Sequence, residues 1–219
     1  MPEPLTMIGL SAGLGTLGVH LARRFFGPAK EIFDVVIGFT ALVVCIPVLA
    51  VCALLVRLSS RGAVVFRQVR MGQGGKPFTL IKFRTMYVDR KSAEGGDWTE
   101  KDDPRIIPVC RWMRRTHMDE LPQLVNVIKG EMSLIGPRPE RPEIVVALEK
   151  VCPGFSRRHI VRPGITGLAQ VRNGYASTVA GAIEKLKTDM EYIQGQKWSN
   201  ELRIIAGTFP KVFGDGKAR

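Results

Sequence analysis

Two adjacent carboxylates, Asp119 and Glu120, stand between a basic cluster of Arg111, Arg114 and Arg115 and a proline-bracketed arginine in Pro137-Arg138-Pro139. Nearby positive charge favours the ionised form of a carboxylate. An ionised carboxylate can attack an electrophile or hold a hard cation, while the arginines hold an anion beside it. That combination suits phosphate chemistry. The plainer alternative makes Asp119 a helix cap and Glu120 a solvated acid of the first turn. A helix is expected here, because Leu121, Leu124, Val125 and Ile128 fall at i, i+3, i+4 and i+7. Gly130 is a natural stop for it. Pro122 lacks an N–H and fits only a first turn, so Asp119 or Glu120 is the expected N-cap, at the positive helix end.

The elements that must position this pair follow from pattern. Residues 105–118 read as a short basic amphipathic helix, with Trp112 and Met113 available for a membrane interface. Upstream, Val64-Val65-Phe66 and Phe78-Thr79-Leu80-Ile81 are β-rich runs separated by Met71-Gly72-Gln73-Gly74-Gly75, which predicts a hairpin. Arg67, Arg70, Lys76, Lys82 and Arg84 make its neighbourhood basic. A glycine-rich loop before a lysine invites a phosphate-loop reading. The spacing does not match GxxxxGK[ST], and a strand rather than a helix follows, so that reading is rejected. Residues 88–104 are polar and charged, a loop that is a candidate lid. Helices are expected at 142–151, with Ile144, Val145, Leu148 and Val151 on one face, and at 179–194, with Ile183, Leu186, Met190 and Ile193. A further helix at 199–213 carries Leu202, Ile204, Ile205, Phe209 and Val212, is limited by Pro210, and suits a membrane surface.

Two apolar stretches precede the hairpin. Residues 5–22 carry Gly9 and Gly13, lack a basic leader and a clear cleavage site, and are a candidate membrane helix rather than a secretory signal. Residues 35–56, VVIGFTALVVCIPVLAVCALLV, carry no charge. As a straight helix they would reach about 33 Å, enough to cross the hydrocarbon core. Pro47 interrupts them in the middle, where it removes a helix hydrogen bond and bends the axis. Arg23, Arg24 and Lys30 lie before the stretch, and Arg57, Arg61, Arg67 and Arg70 after it. Positive charge on both flanks places both ends on the cytoplasmic side, which a helix–break–helix satisfies and a single crossing does not.

The net charge of +12 points to an anionic partner: nucleic acid, an anionic membrane surface or a phosphorylated substrate. Cys45, Cys52, Cys110 and Cys152 have no CxxC spacing, so they read as reduced thiols without a disulfide frame or zinc site. His20, His117 and His159 lack metal-ligand spacing, and His117 reads as a packing or surface residue.

The stretch DELPQLVNVIKGEMSLIGPRPE, residues 119–140, resembles the core signature of the monotopic phosphoglycosyl transferases, the bacterial sugar transferase family that acts on undecaprenyl phosphate. Lys82-Phe83-Arg84-Thr85-Met86 is similar to the family's upstream motif, and Arg162-Pro163-Gly164-Ile165-Thr166-Gly167-Leu168-Ala169-Gln170-Val171 to its downstream one. The resemblance runs from about Lys30 to the C-terminus, in order. Cys110 stands where the family usually has glycine, and His117 where it has a small polar residue. Neither departure touches the carboxylates.

The resemblance implies an α+β fold, mostly helical. It divides into an apolar leader (1–29), a re-entrant helix–break–helix broken at Pro47 (30–60) and a catalytic domain with a hairpin and interfacial helices (61–219). It also implies transfer of a phosphosugar from a UDP-sugar to polyprenyl phosphate at the cytoplasmic face of the bacterial inner membrane, opening surface glycan synthesis. Asp119 would be the nucleophile through an aspartyl-phosphosugar intermediate, with Asp119 and Glu120 as ligands of Mg²⁺. Lys82, Arg84, Arg114 and Arg138 are candidate phosphate contacts, and Glu140 a candidate to orient Arg138. The partners are then the sugar donor, the lipid acceptor and membrane lipid rather than nucleic acid, and a homo-oligomer is allowed. A glycosidase fits poorly, since carboxylates joined in sequence do not flank a sugar from two sides. A membrane-tethered basic binding module explains the charge but leaves the carboxylates without a role.

Overall fold

The computed structural model describes residues 14–87, 103–173 and 179–213. Residues 1–13 of the apolar leader and residues 88–102 of the candidate lid lie outside them. Helix α1 (Leu14–Val44) runs without interruption from the leader into the long apolar stretch, and α2 (Ile46–Ser59) follows after one residue. From Phe26 onward the two axes differ by 62°, and no single helix among the described residues is long and apolar enough to cross a membrane. The break falls at Cys45, just before Pro47 in the first turn of α2. Pro47 has no N–H for the Val43 carbonyl, and its ring crowds that carbonyl, so the ladder cannot continue. Cys45 N still donates to Ala41 O at 2.9 Å, and Leu49 N resumes the pattern with Cys45 O at 2.8 Å.

The bent pair is apolar on two sides for different reasons. Cys52 and Val56 of α2 are fully buried, packed with Phe83, Ile107, Cys110 and Met113. Each such side chain stabilises the contact by about 1.5–3 kcal/mol. On the opposite side Val51, Leu54 and Leu58 are exposed, as are Ile32, Val36 and Phe39 of α1.

Strands β1 (Val65–Met71) and β2 (Pro77–Phe83) form the expected hairpin, longer than the β-rich runs, in antiparallel register from Val65↔Phe83 to Met71↔Pro77. Gly74 and Gly75 turn the chain with φ of 66° and 74°. A second pairing was not legible in the sequence. β3 (Ser133–Ile135) and β4 (Gly164–Thr166) are parallel neighbours of three residues each. Their backbones touch: a Cβ on Gly164 would lie 2.1 Å from Gly136 N.

The expected helix over 105–118 is replaced by a 3₁₀ turn (Pro108–Cys110) and the short α3 (Arg111–Arg115). Ile106 instead bridges Met86, and Pro108 opens the turn, which leaves too few residues for a longer helix. The remaining helices are α4 (Leu124–Ile128), α5 (Pro142–Val151), α6 (Leu168–Arg172), α7 (Val179–Gln194) and α8 (Trp198–Phe213). Helix α1 crosses α4 at Gly38, where a Cβ would sit 3.1 Å from Val127 Cγ1.

A buried polar cluster ties α1 to the rest. Lys30 Nζ lies 2.7 Å from Glu201 Oε2 of α8 and 3.3 Å from Asp34 Oδ1. Asp34 Oδ1 accepts from Leu134 N at 3.3 Å, and Tyr192 OH lies 2.9 Å from both Ile135 O and Glu201 Oε1. Trp198 packs on Phe26 and Phe33, with ring centroids 5.2 and 5.1 Å away.

Candidate active site

The carboxylate pair does not cap its helix. The chain enters through His117, in the left-handed region at φ 54°, and then forms a 3₁₀ turn over Met118–Gln123 that carries Asp119 and Glu120 in its first turn. Glu120 N donates to His117 O at 3.0 Å, the tight bond that defines such a turn. Pro122 still lies within this short element, and α4 begins only at Leu124. Gly130, at φ 74°, ends it as expected, its N–H donating to Val127 O at 2.9 Å.

Both acids are buried, Asp119 to 6 % exposure and Glu120 to 9 %. Their partners differ. Arg138 forks onto Glu120, with Nη1 to Oε2 at 3.0 Å and Nη2 to Oε1 at 2.5 Å. Burial pushes the Glu120 carboxyl up, but the charge and hydrogen bonds of Arg138, helped by His117 and Lys82, outweigh it and hold it down to about 2. The Asp119 carboxylate accepts no hydrogen bond among the described residues. Burial, then the charge of Glu120, raise it to about 6 against the opposing pull of Lys82, Arg114 and Arg138. One acid is locked as an anion, and its neighbour is left open and basic.

Lys82 reaches the pair from β2. Its ammonium lies 5.2 Å from the centroid of Phe66, its cross-strand neighbour, and burial lowers its pKa while Asp119 and Glu120 oppose that. Arg114 comes from α3, with Nη1 3.3 Å from Thr85 Oγ1. Two expected roles change. Arg84 is turned away from the carboxylates: Nη1 bonds Arg61 O at 2.8 Å and Nη2 bonds Ser60 O and Oγ at 2.9 and 2.8 Å. It closes the carboxyl end of α2, where bare carbonyls attract a cation. Glu140 does not orient Arg138 through its carboxylate. It is taken by Lys185, with Arg70 at 3.7 Å and Arg158 at 3.9 Å. His117 is half-buried beside the pair, its pKa lowered by burial, and the Cys110 thiol is pushed up by burial.

Sequence reasoning passed over Arg158, Lys185 and Asp189. Lys185 and Asp189 are four apart on α7, which was read only for its apolar face, and a charged i, i+4 pair beside that face was the available signal. Arg158 is 1 % exposed, with Nη2 2.8 Å from Asp189 Oδ2.

The donor set limits how a divalent cation fits. No group of three or more His, Cys, Asp or Glu side chains converges among the described residues. Asp119 is an open carboxylate of the kind Mg²⁺ accepts. Both oxygens of Glu120 are engaged by Arg138, which leaves Asp119 the more open of the two expected ligands.

The profile of the bacterial sugar transferase family matches residues 25–215. An exopolysaccharide production protein of Rhizobium leguminosarum bv. phaseoli is 38 % identical over 193 residues, 86 % of this chain and 96 % of the relative. A UDP-glucose:undecaprenyl-phosphate glucose-1-phosphate transferase of Caulobacter vibrioides is 37 % identical over 94 % of this chain and 78 % of its own length. An undecaprenyl-phosphate glucose phosphotransferase of Komagataeibacter xylinus is 38 % identical over 80 % of this chain, which spans 34 % of that relative.

Proposed function

Because this chain belongs to the bacterial sugar transferase family, we propose that it is the enzyme that moves a phosphosugar from a UDP-sugar to a polyprenyl phosphate at the cytoplasmic face of the inner membrane. The products are the polyprenyl-diphosphate-sugar and UMP, and the step opens synthesis of a surface glycan. The observation that carries this reading is the asymmetric pair, with Glu120 locked by Arg138 and Asp119 open beside Lys82 and Arg114.

An oxygen of Asp119 attacks the sugar-linked phosphorus. The bond from that phosphorus to the bridging oxygen breaks, and UMP leaves with the electron pair. An oxygen of the lipid phosphate then attacks the same phosphorus, and the Asp119–phosphorus bond breaks to restore the carboxylate. The acyl phosphate is reactive, so one hard displacement becomes two easier ones. A pKa near 6 makes Asp119 ionised at neutral pH yet more basic than an ordinary aspartate. Lys82 and Arg114 hold charge that gathers on the phosphoryl oxygens, and Arg138 keeps Glu120 from taking the proton or the phosphorus. A Mg²⁺ held by Asp119 and the donor phosphates would supply further charge neutralisation. EDTA is therefore expected to stop turnover and added Mg²⁺ to restore it, whereas full activity in a metal-free assay removes the ion from the reaction.

The bent pair α1–α2 serves as a re-entrant anchor in this reading. Its 62° bend, its exposed apolar side and the packing of Cys52 and Val56 against the domain support entry and exit by one face. That seats the pair where a water-soluble donor and a lipid acceptor both reach it. The test is enzyme plus UDP-sugar without lipid. A phosphosugar adduct on the peptide carrying Asp119, with a stoichiometric burst of UMP, is expected. UMP release only when lipid is present, with no trapped adduct, replaces the two-step scheme by direct transfer.

A further inference from the structure

The segment that delivers Arg138 is held in an unusual way. Pro137 and Pro139 have no N–H, so the segment must be fixed largely through its carbonyls. All four are engaged from outside. Pro137 O accepts from Gly164 N at 3.0 Å, and Glu140 O accepts from Met71 N at 2.9 Å. The two between them are held by side chains: Arg158 Nη2 donates to Arg138 O at 2.8 Å, and Arg70 Nη1 to Pro139 O at 3.2 Å. Arg158 is itself ion-paired with Asp189 Oδ2 at 2.8 Å, and its guanidinium carbon lies over the Phe155 ring, 4.9 Å from the centroid. We infer that Arg158, anchored by Asp189, is a positioning residue that fixes the Arg138 peptide and so keeps the Arg138 guanidinium on Glu120. The inference deepens the proposed function and rests on its reading of Asp119 and Glu120 as the reacting pair.

Losing this support has a signature that loss of stability alone does not share. If the Arg138 peptide shifts, its guanidinium leaves the two oxygens of Glu120, and the environment of that guanidinium changes while the fold persists.

The experiment uses the full chain in nanodiscs, labelled with ¹⁵N at the arginine side chains, with the Arg138 guanidinium signals assigned by their loss in Arg138→Lys. Arg158→Lys and the nearly isosteric Asp189→Asn are compared with Ile193→Val, a core change on the same helix. In the first two the Arg138 guanidinium signals are expected to move toward those of Glu120→Gln, in which the partner charge is removed, and kcat/KM per folded molecule to fall about tenfold, the factor for loss of roughly one charge-assisted hydrogen bond. Ile193→Val should lower the thermal midpoint and leave the Arg138 signals in place. Wild-type Arg138 signals in Asp189→Asn, with activity falling only as folded protein is lost, overturn the role of Arg158. Failure of the wild-type chain to release UMP from any UDP-sugar would instead sink the proposed function, and the Arg138 signals would still decide the positioning role.

Discussion

Two buried clusters of charge differ in one respect. Around Lys30 the charges are spent on each other: Glu201 presents one oxygen to Lys30 and the other to the Tyr192 hydroxyl, while Asp34 serves Lys30 and the Leu134 amide. Around Asp119 the accounts are uneven. Both oxygens of Glu120 are engaged, and the adjacent Asp119 carboxylate is left without a hydrogen bond among the described residues. A satisfied cluster fixes how elements meet. A carboxylate kept buried and open is costly for folding and useful for attack. In the proposed reading, one cluster is a joint between the bent helix pair and the rest of the fold, and the other is the reaction centre.

Asp119→Asn gives the largest effect. In the proposed mechanism it removes the attacking anion, and it should cut turnover by on the order of 10³-fold or more. The same change should stabilise the fold at pH 7.5 by on the order of 1–3 kcal/mol, because a carboxyl raised to about 6 costs stability when ionised. The sign follows from linkage. A raised carboxyl pKa means that the folded state holds its proton more tightly, so the cost is present above about 6 and shrinks as pH falls toward the ordinary value. Thermal midpoints of both proteins at pH 7.5 and pH 5 measure it; an equal gap at both pH values contradicts the strained carboxylate.

Lys30→Met probes the other cluster. It leaves Asp34 and Glu201 as buried acids without their cation, which should cost about 3–5 kcal/mol of stability. Turnover per folded molecule should stay within a few-fold, since Lys30 is not in the reaction centre. Denaturant unfolding alongside a UMP-release assay separates the two quantities. A selective loss of turnover in a stably folded protein would show that the joint and the centre are one unit.

How much of this was legible depends on whether the cause was local. The hairpin was, because β-rich runs flank a glycine loop. The break near Pro47 was, because a missing N–H acts on its own helix. The 3₁₀ turn under Asp119 was not, since it depends on a left-handed His117 that composition does not reveal. The β3–β4 pair was not, since three residues carry no period and the partners are distant in the chain. Arginines look alike in sequence. That Arg138 meets Glu120 while Arg84 meets the end of α2 is decided by which surfaces pack together.

Topology sets the next test. If the re-entrant reading holds and both basic flanks lie on the cytoplasmic side, single cysteines at Pro28 and at the exposed Ala63 should be labelled from that side alone. Ala63 is preferred to Gly62, whose φ of 112° and approach to Arg84 leave no room for a side chain. Pro47→Ala restores an N–H at the break and should let a fraction of the chain straighten and cross, moving label at Ala63 to the far side. Opposite-side labelling of the unmodified pair would establish a spanning helix and detach the anchor from the domain as described.

The smallest effect is expected at Phe66. Its ring is half-exposed and lies 5.2 Å from the Lys82 ammonium, which burial disfavours as a cation. A cation over an aromatic face at such a site is worth about 0.5–1 kcal/mol. Phe66→Leu keeps an apolar side chain on β1 and removes the π face. If the ring serves to hold Lys82 toward Asp119, kcat/KM should fall about 2–5-fold, Phe66→Tyr should retain it, and the thermal midpoint should barely move. A loss beyond about 100-fold, or roughly 2.7 kcal/mol of barrier, is more than this contact can supply and would mean that the ring touches the donor itself. No change in either variant would leave Lys82 positioned by the two carboxylates alone.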